Sequence, residues 1–128
     1  MDAYCIVHNI ADLGDQESEN LFEYHNTIIQ GYIQDCYKIV SKDSDSSSII
    51  DSFIKYTDNI NFLIYWMSRI FTYLDRFFTN AKGKPSLAEN AINLYNSYFF
   101  NPLKNDIYKE VNKLIEEDRK EIQNQGLK

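Results

Sequence analysis

IIDSFIKYTDNINFLIYWMSRIFTYLDRFFT, residues 49–79, decides the fold. Its apolar residues recur at Ile49/Ile50, Phe53/Ile54, Ile60, Leu63/Ile64, Met67, Ile70/Phe71, Leu74 and Phe77/Phe78. Steps of three and four mark one face of an α-helix. A second row, Phe62, Trp66, Tyr73 and Phe77, lies on a different face. Apolar residues on more than one side predict burial by several neighbours, which makes this the central helix of the domain. At 1.5 Å per residue it would run about 46 Å. Leu63, Met67, Ile70 and Leu74 are expected to be nearly fully buried.

Working outward, Ser48-Ile49-Ile50-Asp51 has the pattern of a capping box, in which the hydroxyl takes an orphan N–H and the carboxylate reaches back. Before it, Lys42–Ser48 holds no apolar residue and reads as a solvated linker. Upstream again, Glu19–Ser41 is amphipathic through Leu21/Phe22, His25, Ile28/Ile29, Tyr32/Ile33, Cys36 and Ile39/Val40. Ser18 is its expected N-cap, after a turn at Gly14–Glu17. Gly31 inside this helix costs about 1 kcal/mol relative to Ala, so a close helix contact is expected there. Met1–Leu13 reads as a short helix that opens without a cap. Ala3, Ile6, Ile10 and Leu13 form its inward stripe, and Met1, Tyr4, Cys5 and His8 a second, partly apolar row.

Downstream, Gly83 and Pro85 end the long helix, and Ser86-Leu87-Ala88-Glu89 is a second capping box. The helix behind it turns Leu87, Ala91, Leu94, Tyr95, Tyr98 and Phe99 inward. Asn101-Pro102 should break it and start another, with Pro102 at the first helical position. That last helix carries one stripe, Leu103, Ile107, Val111, Leu114, Ile115 and Ile122, and i,i+4 pairs Lys113–Glu117 and Glu116–Lys120. The reading is all-α, a single domain over 1–128 of about five helices around the one at about 49–79.

At 128 residues the chain can bury a core without staples, and a composition 44% hydrophobic and 15% aromatic supports one. A formal net charge of −6 with no basic cluster disfavours nucleic acid and anionic membrane, both of which need Lys and Arg against phosphate. The apolar run Phe62–Met67 is far short of the roughly 20 residues a bilayer asks for. Cys5 and Cys36 are expected as free, buried thiols in a reducing compartment, with no signal peptide ahead of Asp2. These readings place the protein in the cytoplasm, the nucleus or both.

Catalytic signatures are absent. His8 and His25 are the two histidines, and their pairing with Cys5 and Cys36 lacks the spacing of a zinc finger. No phosphate loop, nucleophile elbow or His-Glu-x-x-His occurs. Asp75-Arg76 reads as a salt bridge or helix-end charge. No catalytic residue, metal or cofactor is expected, and the chain reads as a binding protein rather than an enzyme.

Three stretches in fixed order resemble the cullin family. Trp66–Phe78 resembles the cullin segment that ends in Tyr-Leu-Asp/Asn-Arg plus aromatics, here Tyr73-Leu74-Asp75-Arg76. Phe100-Asn101-Pro102-Leu103 resembles the turn before the last helix of the first repeat. Leu114-Ile115-Glu116-Glu117-Asp118-Arg119 resembles that repeat's closing segment. The resemblance implies the first cullin repeat, without its first helix, and a role as ubiquitin-ligase scaffold. It implies docking of a BTB-fold adaptor, Skp-type or BTB protein, that carries the substrate receptor. The family's docking surface uses the second and fifth helices, which correspond here to Met1–Leu13 and Ser86–Phe99. Carried over, the contact residues are Met1, Tyr4, Cys5 and His8 with Ala88 and Ile92; Tyr4 matches a family tyrosine, and Ala88 stands where tyrosine is frequent. A full-length relative would also bind a RING subunit. Weak self-association is expected where surface near Cys5 and Ile6 is uncovered. The alternative reading is an unrelated helical interaction module, a self-associating bundle or a virus-like modulator that binds a partner helix.

Overall fold

Among the described residues six helices follow one another: α1 (Ala3–Ala11), α2 (Asp15–Ser41), α3 (Ile49–Ile70), the short α4 (Thr72–Leu74), α5 (Leu87–Tyr95) and α6 (Asn101–Gly126). α4 runs into a π-helical turn at Asp75–Thr79 and α5 into another at Asn96–Phe100. The computed structural model describes residues 2–43 and 47–126, with side chains up to 123. Among these there is no strand, and the chain is all-α as its periodicity requires. Merging α3, α4 and the first π turn gives the five helical segments expected.

The centre is α2, not the 49–79 segment. α2 packs on α1, α3, α4, α5 and the second π turn. Leu21, His25, Ile29, Ile33, Cys36 and Val40, at steps of four and three, bury one continuous stripe. α3 buries Ile49, Ile60, Ile64 and Met67 on its inner side, but its second row is open: Phe62 is 66% exposed, Trp66 46% and Phe77 59%. Of the four residues expected in the core, Met67 and Leu74 are buried and Leu63 and Ile70 half-buried. Periodicity reports which side of a helix is apolar, not whether anything covers it.

The expected unbroken helix also stops at Phe71 (φ −97°, ψ 17°). Two hydroxyls compete with the ladder there. Ser68 Oγ donates to the Ile64 carbonyl at 2.8 Å, and Thr72 Oγ1 to those of Ser68 and Arg69, both at 2.9 Å. Such back-bonding bends helices. The Phe71 ring turns inward, edge-on to His25 at 5.0 Å. Beyond it, Asp75 does not pair with Arg76. Its Oδ1 accepts from the buried Thr79 hydroxyl and from the Leu87 N–H at 3.0 Å, which ties the π turn to the start of α5.

Several helix ends differ from expectation for local reasons. α1 is capped after all, since Asp2 Oδ1 accepts from the Cys5 N–H at 2.9 Å. α2 starts at Asp15 after Gly14, whose φ of 132° suits glycine, and Ser18 lies inside the helix, buried, donating to the Ala11 carbonyl. Ser48 has helical dihedrals and accepts no cap hydrogen bond, so the first capping box does not form. Part of the linker before it, 44–46, lies outside the described residues. Ser86 does cap α5, its Oγ accepting from the Glu89 N–H at 3.1 Å. Gly31 meets no neighbour, and a Cβ there would find nothing within 4 Å. Asn101 is helical rather than a break. The π turn shifts the Asn101 N–H to the Asn96 carbonyl, a re-registration that lets the helix pass into Pro102, which has no N–H to give.

α6 buries Leu103 and Ile107, and Glu110 is covered with Lys113 Nζ at 3.2 Å. From Val111 to Gln123 every residue is exposed, so this part of the helix leaves the body. The expected i,i+4 pairs are replaced by i,i+3 ones, Glu110–Lys113 and Glu116–Arg119.

Candidate protein-docking site

α1 lies on α2, α3 and α4 through a narrow face. Val7 is the buried residue, with Ile10 and Ala11 packed beside it. The predicted inward stripe is displaced by this: Ala3, Ile6 and Leu13 are all exposed. A nine-residue helix presents little more than one stripe to a neighbour, and the Val7 stripe is the one that meets α2 and α4.

The outer side of α1 continues onto the segment after Phe71 as a row of rings. Tyr4 stands 6.4 Å from His8, His8 4.1 Å from Tyr73, and Tyr73 4.7 Å from Phe77. The Tyr73 hydroxyl donates to Asp12 Oδ1 at 2.6 Å, which clamps the end of α1 to α4. That bond, with the carboxylate charge, pushes the phenol's pKa up, so Tyr73 stays a donor. Asp2 is held below its ordinary carboxylate value by the Cys5 N–H. The Cys5 thiol is in turn raised by Asp2, and it remains an uncharged, exposed thiol rather than the buried one expected. Cys36 is the buried thiol.

Beside this row a groove of about 700 Å³ opens between Asp2, Ala3 and Tyr4 on α1 and Trp66, Arg69, Ile70 and Thr72 on the far wall. Across Trp66 a second groove, about 300 Å³, runs between Tyr32, Asn59, Phe62 and Leu63. Arg69 crosses the ridge between them, its guanidinium 5.5 Å and 5.8 Å from the Tyr65 and Trp66 rings, and donates to the Tyr65 hydroxyl. Aromatics and arginine are the side chains enriched at protein interfaces. The chemistry offered is apolar contact with a few directed hydrogen bonds.

Tyr4, Cys5 and His8 therefore share one surface, as expected. Ala88, half-buried, and Ile92, exposed, stand on α5, which packs on α2 and α3. Met1 lies outside the described residues. Tyr73, Phe77, Trp66 and Arg69 join the α1 surface instead. The signal of the three aromatics in sequence is the second row of the 49–79 segment, which the apolar count assigns to the core, and Arg69 carries no such signal.

The family described as the cullin alpha solenoid domain matches residues 1–128. The chain belongs to the cullin family. A relative named Cullin-1 from Oryza sativa subsp. japonica is 24% identical over 102 residues, covering 80% of this chain and 14% of the rice protein. The chain thus spans a small part of that cullin's length. No solved structure gives a significant match. Membership sets aside the reading of an unrelated helical module. The cullin-like residues also acquire positions: Leu74 and Leu103 are core, Asp75 is the tie to α5, and Tyr73, half-buried, lies between His8 and Phe77.

Proposed function

We propose that this chain is a docking unit of a ubiquitin-ligase scaffold, holding a BTB-fold adaptor, Skp-type or BTB protein, that brings the substrate receptor. It works by binding rather than catalysis, in the cytoplasm or nucleus, and a RING subunit belongs to other parts of a full-length relative. The observation that carries the reading is the outward row Tyr4, His8, Tyr73 and Phe77, flanked by Cys5, across two elements fixed to each other by the Tyr73–Asp12 bond. Tyr4, at the end of this row, is 42% exposed, which suits an anchor for a partner's pocket.

Calorimetry against a Skp-type and a BTB-protein adaptor tests this. Tyr4→Ala should weaken binding by about 2 kcal/mol, or roughly 30-fold, with the helical fold intact. Ile92→Asp tests the α5 contribution in parallel. A loss confined to Ile92→Asp moves the surface to α5 with Ala88, and no binding to either adaptor class sinks the reading.

A further inference from the structure

One short segment ties together the two helices that the proposed docking surface draws on. Tyr73, on α4, donates its hydroxyl to Asp12 at the end of α1. Close behind it, Asp75 Oδ1 accepts the Leu87 N–H at the start of α5 and the hydroxyl of the buried Thr79. The stretch past Phe71 is thus held to α1 on one side and to α5 on the other. Its direction decides where the Tyr4, His8, Tyr73 and Phe77 rings stand relative to Ala88 and Ile92.

That direction is set at Phe71, and two hydroxyls act there. Ser68 Oγ donates to the Ile64 carbonyl at 2.8 Å, and Thr72 Oγ1 to the Ser68 and Arg69 carbonyls at 2.9 Å. Positions 64, 68 and 72 are four apart, on one side of the helix, so the two bends act in the same sense. Among the described residues neither hydroxyl has a hydrogen-bond partner outside this stretch of helix. Phe71 then leaves helical dihedrals and buries its ring against His25. By the helical rise Phe77 lies about 9 Å past the bend, and a change of about 20° there moves it by about 3 Å. The Tyr73–Asp12 bond, 2.6 Å long, tolerates only about 1 Å of such movement.

We propose that Ser68 and Thr72 are positioning residues of the docking surface, their hydroxyls fixing the bend at Phe71 that holds α1 and α5 in register for the adaptor. Resting on the docking function proposed above, this gives the two residues a role through Tyr73 and Asp75 rather than by contact. A hydroxyl that bonds back to its own helix stabilises it little or not at all. Removing both should therefore leave the fold as stable or more so while docking weakens. Residues that only support the fold would lose stability and affinity together.

The variants are Thr72→Val, which keeps the shape and removes the hydroxyl, Thr72→Ser, which keeps the hydroxyl, and Ser68→Ala combined with Thr72→Val. On the full chain, calorimetry against the Skp-type and BTB-protein adaptors should find the double variant about tenfold weaker. Its urea midpoint should be unchanged or higher. NMR of ¹³C-labelled tyrosine reads the bend itself, because the Asp12 bond holds the Tyr73 phenol above its ordinary pKa. Tyr73 should titrate closer to that ordinary value in the double variant, and as in wild type in Thr72→Ser. An unmoved Tyr73 titration in the double variant overturns the proposal, as does wild-type affinity or a joint loss of stability and affinity. If Thr72→Ser weakens binding as much as Thr72→Val, the side chain acts by contact and the proposal fails. A wild type that binds neither adaptor overturns the docking function and the positioning role with it; failure of the positioning role alone shows as an unmoved titration in a chain that binds.

Discussion

His25 sits 1% exposed on the inner face of α2, edge-on to the Phe71 ring, with Nδ1 3.2 Å from the Asn26 side-chain oxygen. Burial pulls its pKa below the ordinary 6.5, against smaller opposing effects from the Asn26 hydrogen bond and the Asp75 charge. The folded state thus keeps it neutral where the unfolded chain takes up a proton. With its folded pKa depressed, the unfolded state binds more protons below about 6.5, so stability falls as pH drops through that value and is fully present above it. Urea denaturation between about pH 7.5 and about pH 5 should show this loss, and His25→Gln should flatten the slope even if it lowers stability throughout. Equal slopes for the two proteins would mean that His25 is protonated in the fold. The inward placement of His25 is legible in the sequence, because it falls on the period of Leu21, Ile29 and Ile33. The role of Asp75 is not, because its partners, Thr79 and the Leu87 N–H, are brought to it by a π turn and a loop that no periodic pattern announces.

At the scale of the element, the 49–79 segment separates what a helical pattern can and cannot say. Its helices form, and the stripe through Ile60, Ile64, Met67 and Leu74 is the buried one. Its rank among the helices is not written in the pattern, since Phe62, Trp66 and Phe77 look like core residues in sequence and stand in water in the fold. The two kinds of position should differ sharply on truncation. Leu74→Ala should cost about 2–5 kcal/mol through the cavity it leaves, whereas Phe77→Ala should stay within about 0.5 kcal/mol. Comparable losses at both would mean that the outer row is buried in solution. The same limit explains the docking surface. Tyr4 and His8 are legible as an uncovered row on α1, and the other half of the surface, Tyr73 and Phe77, is hidden inside an apolar count that cannot tell a core from an interface. Helix ends follow a related rule: Ser86 caps α5, where the chain arrives extended at ψ 160°, and Ser48 does not cap α3, where it arrives already helical.

Across the whole molecule, burial is graded from one helix outward. α2 packs on α1, α3, α4 and α5, and Ile29, Ile33 and Val40 on it have no exposed surface. α3 and α5 each cover one side of it, α1 rests on it through Val7, and α6 joins the body through Leu103 and Ile107 before departing. Local opening free energies follow such gradients, from near zero where few apolar contacts hold a segment to the global value in the core. Native-state hydrogen exchange should then rank the helices. The α2 amides from Ile29 to Val40 should exchange last, by global unfolding. Those of α3 and α5 should come close behind, and the α6 amides beyond Val111 should exchange early by local fraying, because helical hydrogen bonds without packing are marginal in water. Protection highest in α3 would restore it as the centre and reverse this packing order.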